Sequence, residues 1–220
     1  MVEQLPQQGE WLALLTLGGP VVLVLLFMSV VALAVSLFKF LQLSPYSKRS
    51  LDKLDDAITQ WCRGDGNAPV MVQANKSPLS GMVGEGMTWI ADAKIDRAAI
   101  EAELTRKAQR VLERLSSLLG VLEQVAYLAP LLGLLGTVLG IIDVFHGLAE
   151  QGATADSGAL AGGIWEALLT TAVGLCVAIP FAVLHSGFLG KVDTVRSRTE
   201  DMLTRLFTAD LYRSGHGGDS

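Results

Sequence analysis

Three apolar runs, each long enough to cross a bilayer, constrain this 220-residue chain more than any other feature. A hydrocarbon core requires about 20 consecutive apolar residues in a helix. The first run extends from about Trp11 to Phe38 and has only Thr16, Ser29 and Ser36 as polar side chains. The second extends from about Val125 to Gly147, and the third from about Gly163 to Gly187. Within lipid every backbone polar group has to be satisfied internally, so each run is expected to be a helix. The fold class is therefore all-α: three transmembrane helices, the second and third prolonged into long cytoplasmic helices.

Lysine and arginine orient the spans. Residues 1–38 contain none of the 17, and the segment from His146 to Gly162 contains none. Eleven lie between Lys48 and Arg114, five lie between Lys191 and Arg213, and Lys39 follows the first run directly. The positive-inside rule then predicts an outer N-terminus (1–10), a first span (11–41) and a cytoplasmic segment (42–124). It continues with a second span (125–147), an outer loop (148–162), a third span (163–188) and a cytoplasmic C-terminal helix and tail (189–220). Glu3 and Glu10 stand where a secretory signal carries its basic region, so the first run reads as a retained anchor.

Between the first two spans the pattern is helical and soluble. Leu51, Leu54, Ile58 and Trp61 recur at helical spacing over Ser50 to Cys62. Arg63 to Pro69 is dense in breakers and reads as a loop, and short helices or turns follow around Met82 to Ile90. From Asp92 onward Leu104, Ala108, Val111, Leu115, Leu118 and Leu122 form a 4-3-4-3-4 seam. Glu103 and Lys107 are placed for an i,i+4 ion pair. No proline intervenes before Pro130, so one helix is expected to run straight into the second span. The third span is expected to continue as an amphipathic helix to about Leu211, with a disordered tail from Ser214.

Polar residues in two of the runs carry the functional argument. The second run holds Thr137; the third holds Glu166, Thr170 and Thr171. Intramembrane carboxyls and hydroxyls are costly, and they face a bundle interior or an ion path. Counted from the shared outer loop, the three threonines differ in depth by only about 3–5 Å. Glu166 and Thr170 share a helix face; Thr171 is turned by roughly 100°. Gly133, Gly136 and Gly140 make a small-residue face suited to close helix approach, and Gly174 is counted with them. Pro130 and Pro180 lie inside the spans as static kinks or flexing points. Asp143, His146 and His185 sit at span ends and read as solvated.

Several function classes lack support. The sequence has no phosphate loop and no zinc, redox or hydrolase motif, so no enzyme activity, cofactor or metal is expected. The two cysteines, Cys62 and Cys176, are separated by topology and do not suggest a disulfide. Basic residues are interspersed with acids at a net charge of −5, which gives no nucleic-acid footprint.

The stretch Ala129-Pro130-Leu131-Leu132-Gly133-Leu134-Leu135-Gly136-Thr137-Val138-Leu139-Gly140-Ile141 resembles the second-span signature of the MotA/TolQ/ExbB proton-channel family. Gly163-Ile164-Trp165-Glu166-Ala167-Leu168-Leu169-Thr170-Thr171-Ala172-Val173-Gly174-Leu175, ending at Ile179-Pro180, resembles its third-span signature. The resemblance implies a homo-pentameric ring in a bacterial inner membrane. That ring surrounds helices of an ExbD-like single-span partner with a membrane-embedded Asp, and ions descend their gradient past this Asp. It also implies that Thr137 and Thr171 line the inner pore and that Glu166 is the family's third-span glutamate.

The chain departs from the pattern in three places. Leu139 stands where a Trp often follows, Trp165 precedes Glu166, and Thr170 replaces a usual Ala. An extra hydroxyl could serve a dehydrated sodium ion, so proton coupling has a sodium alternative. Within the family the chain looks most like the ExbB branch, which energises outer-membrane import through a TonB-like protein. The TolQ branch, serving envelope constriction, comes second. A passive membrane scaffold and a small secondary transporter are the readings from other classes.

Overall fold

The computed structural model describes residues 19–75, 77–92, 94–151 and 157–209. It contains seven helices and no strand among those residues: α1 (Gly19–Leu43), α2 (Lys48–Cys62), α3 (Ala68–Gln73), α4 (Leu79–Ala91), α5 (Arg97–Ser116), α6 (Leu119–Gln151) and α7 (Ser157–Phe207). The expected all-α membrane class holds, because three helical stretches are long and apolar enough to cross a membrane. The expected outer N-terminus, the start of the first span and the tail from Ser214 lie outside the described residues.

The described chain divides into two compact units. The first comprises α1 up to Leu37, α6, and α7 up to Ser186. Its core is a small cluster of Leu25, Ala129 and Ala178, flanked by Val21, Leu132, Val173 and Val177. Large apolar side chains such as Phe27, Leu33, Tyr127, Phe145, Trp165 and Val183 are more than half exposed, an arrangement that only an apolar solvent tolerates. Ser36 returns its hydroxyl to the Ala32 carbonyl at 2.7 Å, which satisfies it within its own helix.

The second unit holds the remainder. Helix α2 starts two residues before the expected Ser50, because Ser47 caps it by accepting from the Ser50 amide at 3.3 Å. It ends at Cys62, and Gly64 two residues on takes a φ of 85° that glycine adopts freely, with the Asp65 amide bonded back to the Gln60 carbonyl. The expected loop over Arg63 to Pro69 is shorter than its composition suggests. Helix α3 begins at Ala68, with Pro69 in its first turn where no amide is needed. Leu51, Leu54 and Ile58 of α2, Leu104 and Leu115 of α5, and Val192, Val195, Met202 and Leu206 of α7 form this unit's core. At Gly86 of α4 a Cβ would lie 2.8 Å from Leu104 and 3.3 Å from Leu206, so three helices meet over that glycine.

A cluster of opposite charges clamps α2 to the distal part of α7. Asp55 accepts from both Arg198 and Arg205. Arg198 also reaches Asp52 at 3.2 Å, and Arg205 reaches Asp201 at 2.9 Å and the Thr59 hydroxyl at 3.2 Å.

Two sequence expectations are corrected here. The Glu103–Lys107 pair does not form. Glu103 pairs with Arg106 instead, whose fork matches a carboxylate at i,i+3. Lys107 extends to Glu85 and lies over the Trp89 ring at 4.7 Å, both on α4.

The single helix expected from Asp92 into the second span is also broken. Helix α5 stops at Ser116, and Leu118 takes a left-handed φ of 62° before α6 begins at Leu119. That conformation costs a non-glycine residue about 1–2 kcal/mol. Ser116 and Ser117 favour the break, because their hydroxyls take the Leu112, Glu113 and Arg114 carbonyls. Leu118 consequently leaves the seam and is 46% exposed, while Leu104, Ala108, Leu115 and Leu122 stay buried. By contrast, α7 continues without interruption through Pro180 to Phe207, close to the expected helix.

Candidate functional site

Glycines on α6 and small residues on α7 bring two backbones into contact. A Cβ added at Gly133 would lie 2.9 Å from the Thr170 carbonyl oxygen and 3.0 Å from the Thr171 Cα. At Gly136 it would lie 2.5 Å from the Thr170 Oγ1, and at Gly140 2.8 Å from the Ala167 Cβ. From the other side, a Cβ at Gly174 would lie 2.6 Å from the Ala129 carbonyl oxygen. Real Cβ atoms do not approach this closely, so the seam exists only because these positions carry no side chain. The expected packing glycines Gly133, Gly136, Gly140 and Gly174 all lie in it. Gly163, absent from that set, adjoins Val144 in the same way, at 2.3 Å.

The contacts also fix levels. Thr170 faces Gly136, one residue from Thr137, and Thr171 lies against Gly133. One turn nearer the start of α7, Ala167 faces Gly140, and Glu166 precedes it in the chain. Glu166 lines a cleft of about 440 Å³ together with Asp143, Gly140, Gly163 and Thr170. Asp143, which the sequence argument had left at a span end, lines the same cleft as Glu166.

The three hydroxyls are used differently. Thr170 is 4% exposed, and its Oγ1 lies 2.7 Å from the Ala167 carbonyl oxygen and 3.1 Å from that of Gly133. Its one proton is shared between its own helix and α6, so Thr170 tethers the seam. Thr137 is buried and donates to the Leu134 carbonyl at 2.6 Å, one residue nearer than the usual fourth-residue partner. The Thr171 Oγ1 is buried and has no hydrogen-bond partner. An unpaired buried hydroxyl carries a desolvation penalty of about 1–3 kcal/mol. It is tolerated where it serves a role or meets a group from another chain.

Pro130 and Pro180 both lie inside helices. Cys62 is buried and Cys176 exposed, and both are free thiols. Among the described residues no group of three metal-ligating side chains converges.

Comparison with known proteins decides the family. Residues 74–201, more than half of the chain and including the whole seam, match the MotA/TolQ/ExbB proton channel family. The chain belongs to that family. It is 28% identical over 190 residues to a putative biopolymer transport protein ExbB homolog of Methanothermobacter thermautotrophicus, covering 84% of this chain and 65% of the relative. It is 40% identical over 104 residues to the biopolymer transport protein ExbB of Pseudomonas putida, covering 46% of this chain and 31% of that protein. The Tol-Pal system protein TolQ of Pseudomonas aeruginosa is 38% identical over 114 residues, covering 49% and 46%. The matched segments thus span less than two thirds of each of these relatives. Family membership places the chain among membrane-embedded channel and transport subunits rather than in an enzyme family.

Proposed function

We propose that this chain is the ring-forming subunit of an ion-driven motor in a bacterial inner membrane. A single-span, ExbD-like partner supplies the titratable Asp at mid-membrane, and a TonB-like protein carries the resulting movement to the outer membrane. The N-terminus and the loop between α6 and α7 face outward, and the basic unit built on α2, α5 and the distal part of α7 faces the cytoplasm. Five copies enclose the partner, with Thr137 and Thr171 toward the inner pore and Glu166 one turn outward.

The observation that carries this reading is the Thr171 hydroxyl, which is buried beside the glycine seam and unpaired within the protomer. It lies against Gly133, about one turn of α6 from Thr137. Names of relatives from both branches support the motor class, and the larger number of ExbB names favours import over envelope constriction. Thr170 is committed to the tether, which weakens the sodium alternative built on a third pore hydroxyl. Among the described residues no carboxyl lies at the depth of the threonines, so the ring alone is expected to conduct poorly.

Affinity purification of the chain from its native membrane tests the reading. Recovery of a small single-span protein with a membrane Asp, together with a TonB-like protein, is expected. A TolR- or Pal-linked set would move the chain to the envelope branch. Recovery of the ring with no partner, or large ion flux through the ring reconstituted alone, would overturn the motor mechanism in favour of a passive scaffold.

A further inference from the structure

Basic side chains without partners gather just past the end of α1. That helix has 25 residues and rises about 37 Å, enough to cross a hydrocarbon core of about 30 Å with its last turn at the boundary. Phe40 and Leu41 in that turn are 68% and 65% exposed, a pattern suited to lipid. Lys39, the nearest cation, cannot reach anything outside the protein. It is wholly buried, and its Nζ donates to the Gln42 Oε1 at 2.7 Å and the Leu115 carbonyl at 2.9 Å.

The cations that can be reached lie around Tyr46. Gln42 donates to the Arg114 carbonyl at 3.1 Å, which holds the last turn of α5 against the end of α1. Burial pushes the Tyr46 phenol up, and the nearby Arg114 guanidinium opposes that shift. Tyr46 is only 7% exposed, yet its hydroxyl is not sealed from the surface and bonds to no described residue. A buried tyrosine normally finds a partner for that group. Arg114 is exposed and pairs with no carboxylate among the described residues, and Glu113 beside it is turned by roughly 100° around α5. Lys48 and Arg49 are likewise exposed and unpaired among the described residues. They are the first two residues of α2, whose first turn holds no acid. Cations there stand against the helix dipole, and the first amides of the helix lack intrahelical acceptors. An anion resolves both conflicts.

We propose that this corner binds the phosphodiester headgroup of an anionic phospholipid, drawn from the leaflet that meets the C-terminal end of α1. The Arg114 fork and the Tyr46 hydroxyl donate to the phosphate oxygens, and Lys48 and Arg49 add positive charge. The acyl chains lie along Phe40 and Leu41. A lipid fits better than a free anion, because it alone offers a phosphate and an apolar tail to groups so close in the chain. All six residues belong to the second compact unit. The site follows from α1 crossing the membrane and is independent of the ion, partner or cargo in the proposed motor.

Native mass spectrometry of the full-length protein in detergent, titrated with phosphatidylglycerol, tests the site. Saturable binding is expected. Arg114→Gln keeps the backbone carbonyl that Lys39 and Gln42 use, and should weaken the affinity roughly tenfold or more, the size of a charge-assisted hydrogen bond. Tyr46→Phe keeps the ring and should weaken it about threefold to tenfold. Lys94→Gln removes the same charge beyond the opposite end of α5, about 30 Å away, and should bind as the wild type does. Phosphatidylcholine carries the phosphodiester without net charge and should bind at least roughly tenfold more weakly. Unchanged affinity in both Arg114→Gln and Tyr46→Phe would overturn the proposal, as would an equal loss in Lys94→Gln or equal binding of phosphatidylcholine. Displacement of phosphatidylglycerol by inorganic phosphate would overturn it too, by assigning the corner to a free anion.

Discussion

Replacing Gly136 with alanine adds one methyl group at the tightest point of the α6–α7 seam. The new Cβ would lie 2.5 Å from the Thr170 Oγ1, 2.7 Å from its Cβ and 3.1 Å from its Cγ2. Carbon contacts are optimal at about 3.5–4.0 Å, so two of the three atoms are roughly 1 Å too close. Thr170 cannot rotate away freely, because its hydroxyl is held by the Ala167 and Gly133 carbonyls. Relief therefore requires the backbones to separate, and overpacking of this kind costs about 1–3 kcal/mol. We expect Gly136→Ala to lower unfolding stability by about 2 kcal/mol, measured by denaturant titration of the purified protein in mild detergent. Thr170→Ala removes two of the three obstructing atoms but leaves its Cβ at 2.7 Å, so the double variant should recover only part of the loss. Gly147 provides the control, since it lies on the same helix with nothing within 4 Å of an added Cβ. Gly147→Ala should be neutral, or stabilising by about 0.5–1 kcal/mol, through helix propensity. Equal stability of the Gly136→Ala and Gly147→Ala proteins would refute the account of the seam.

Three further outcomes are expected. Thr171→Val removes an unpaired buried hydroxyl, so stability should hold or rise by about 1 kcal/mol while energised transport in cells is lost; a drop in both would assign Thr171 to packing instead. Asp55→Asn leaves Arg198 and Arg205 with their outer partners Asp52 and Asp201, and should destabilise by about 1–2 kcal/mol in thermal unfolding, an effect that shrinks in about 0.5 M salt. The hydrogen bond from Arg106 holds the Glu103 carboxyl below the usual carboxylate range. A lowered folded-state value means that its contribution is present above the unfolded value and lost as pH falls through the folded one; Arg106→Gln should return the Glu103 titration, followed by carbon NMR, toward the ordinary value.

Helix identity was legible wherever the cause was local. The runs around Leu25, Leu132 and Val177 announce spans by length, and the spacing of Leu51, Leu54 and Ile58 announces α2 and its buried face. Glycine spacing at Gly133, Gly136 and Gly140 pointed to a close helix contact, which the structure completes with Thr170 and Ala167 as the opposing surface. What escaped depends on residues distant in sequence. At the end of α5 the Arg114 and Leu115 carbonyls accept from Lys39, 75 and 76 residues earlier. The clamp on Asp55 needs Arg198 and Arg205, 143 and 150 residues later. Lys107 passed over its i,i+4 partner because α4 offered both a carboxylate and a ring. Thr170 and Thr171 look equivalent as letters. Only their roughly 100° offset around α7 makes one a tether and leaves the other unpaired.

The glycine seam has a mechanical consequence. Helices that meet through side chains are separated by a layer of rotatable groups, which can repack and let one helix slide or roll on the other. Where Gly133 crosses Gly174 that layer is missing and backbone rests on backbone, while Gly136 and Gly140 receive only the short Thr170 side chain and the Ala167 Cβ. The one rotatable side chain there, Thr170, is held by the Ala167 and Gly133 carbonyls, so the contact has little to repack or compress and the pair behaves as one stiff two-helix blade. In the proposed motor, movement accompanying ion passage would then occur on the outer faces of that blade, against lipid, a neighbouring copy or a central partner, and not along its own midline.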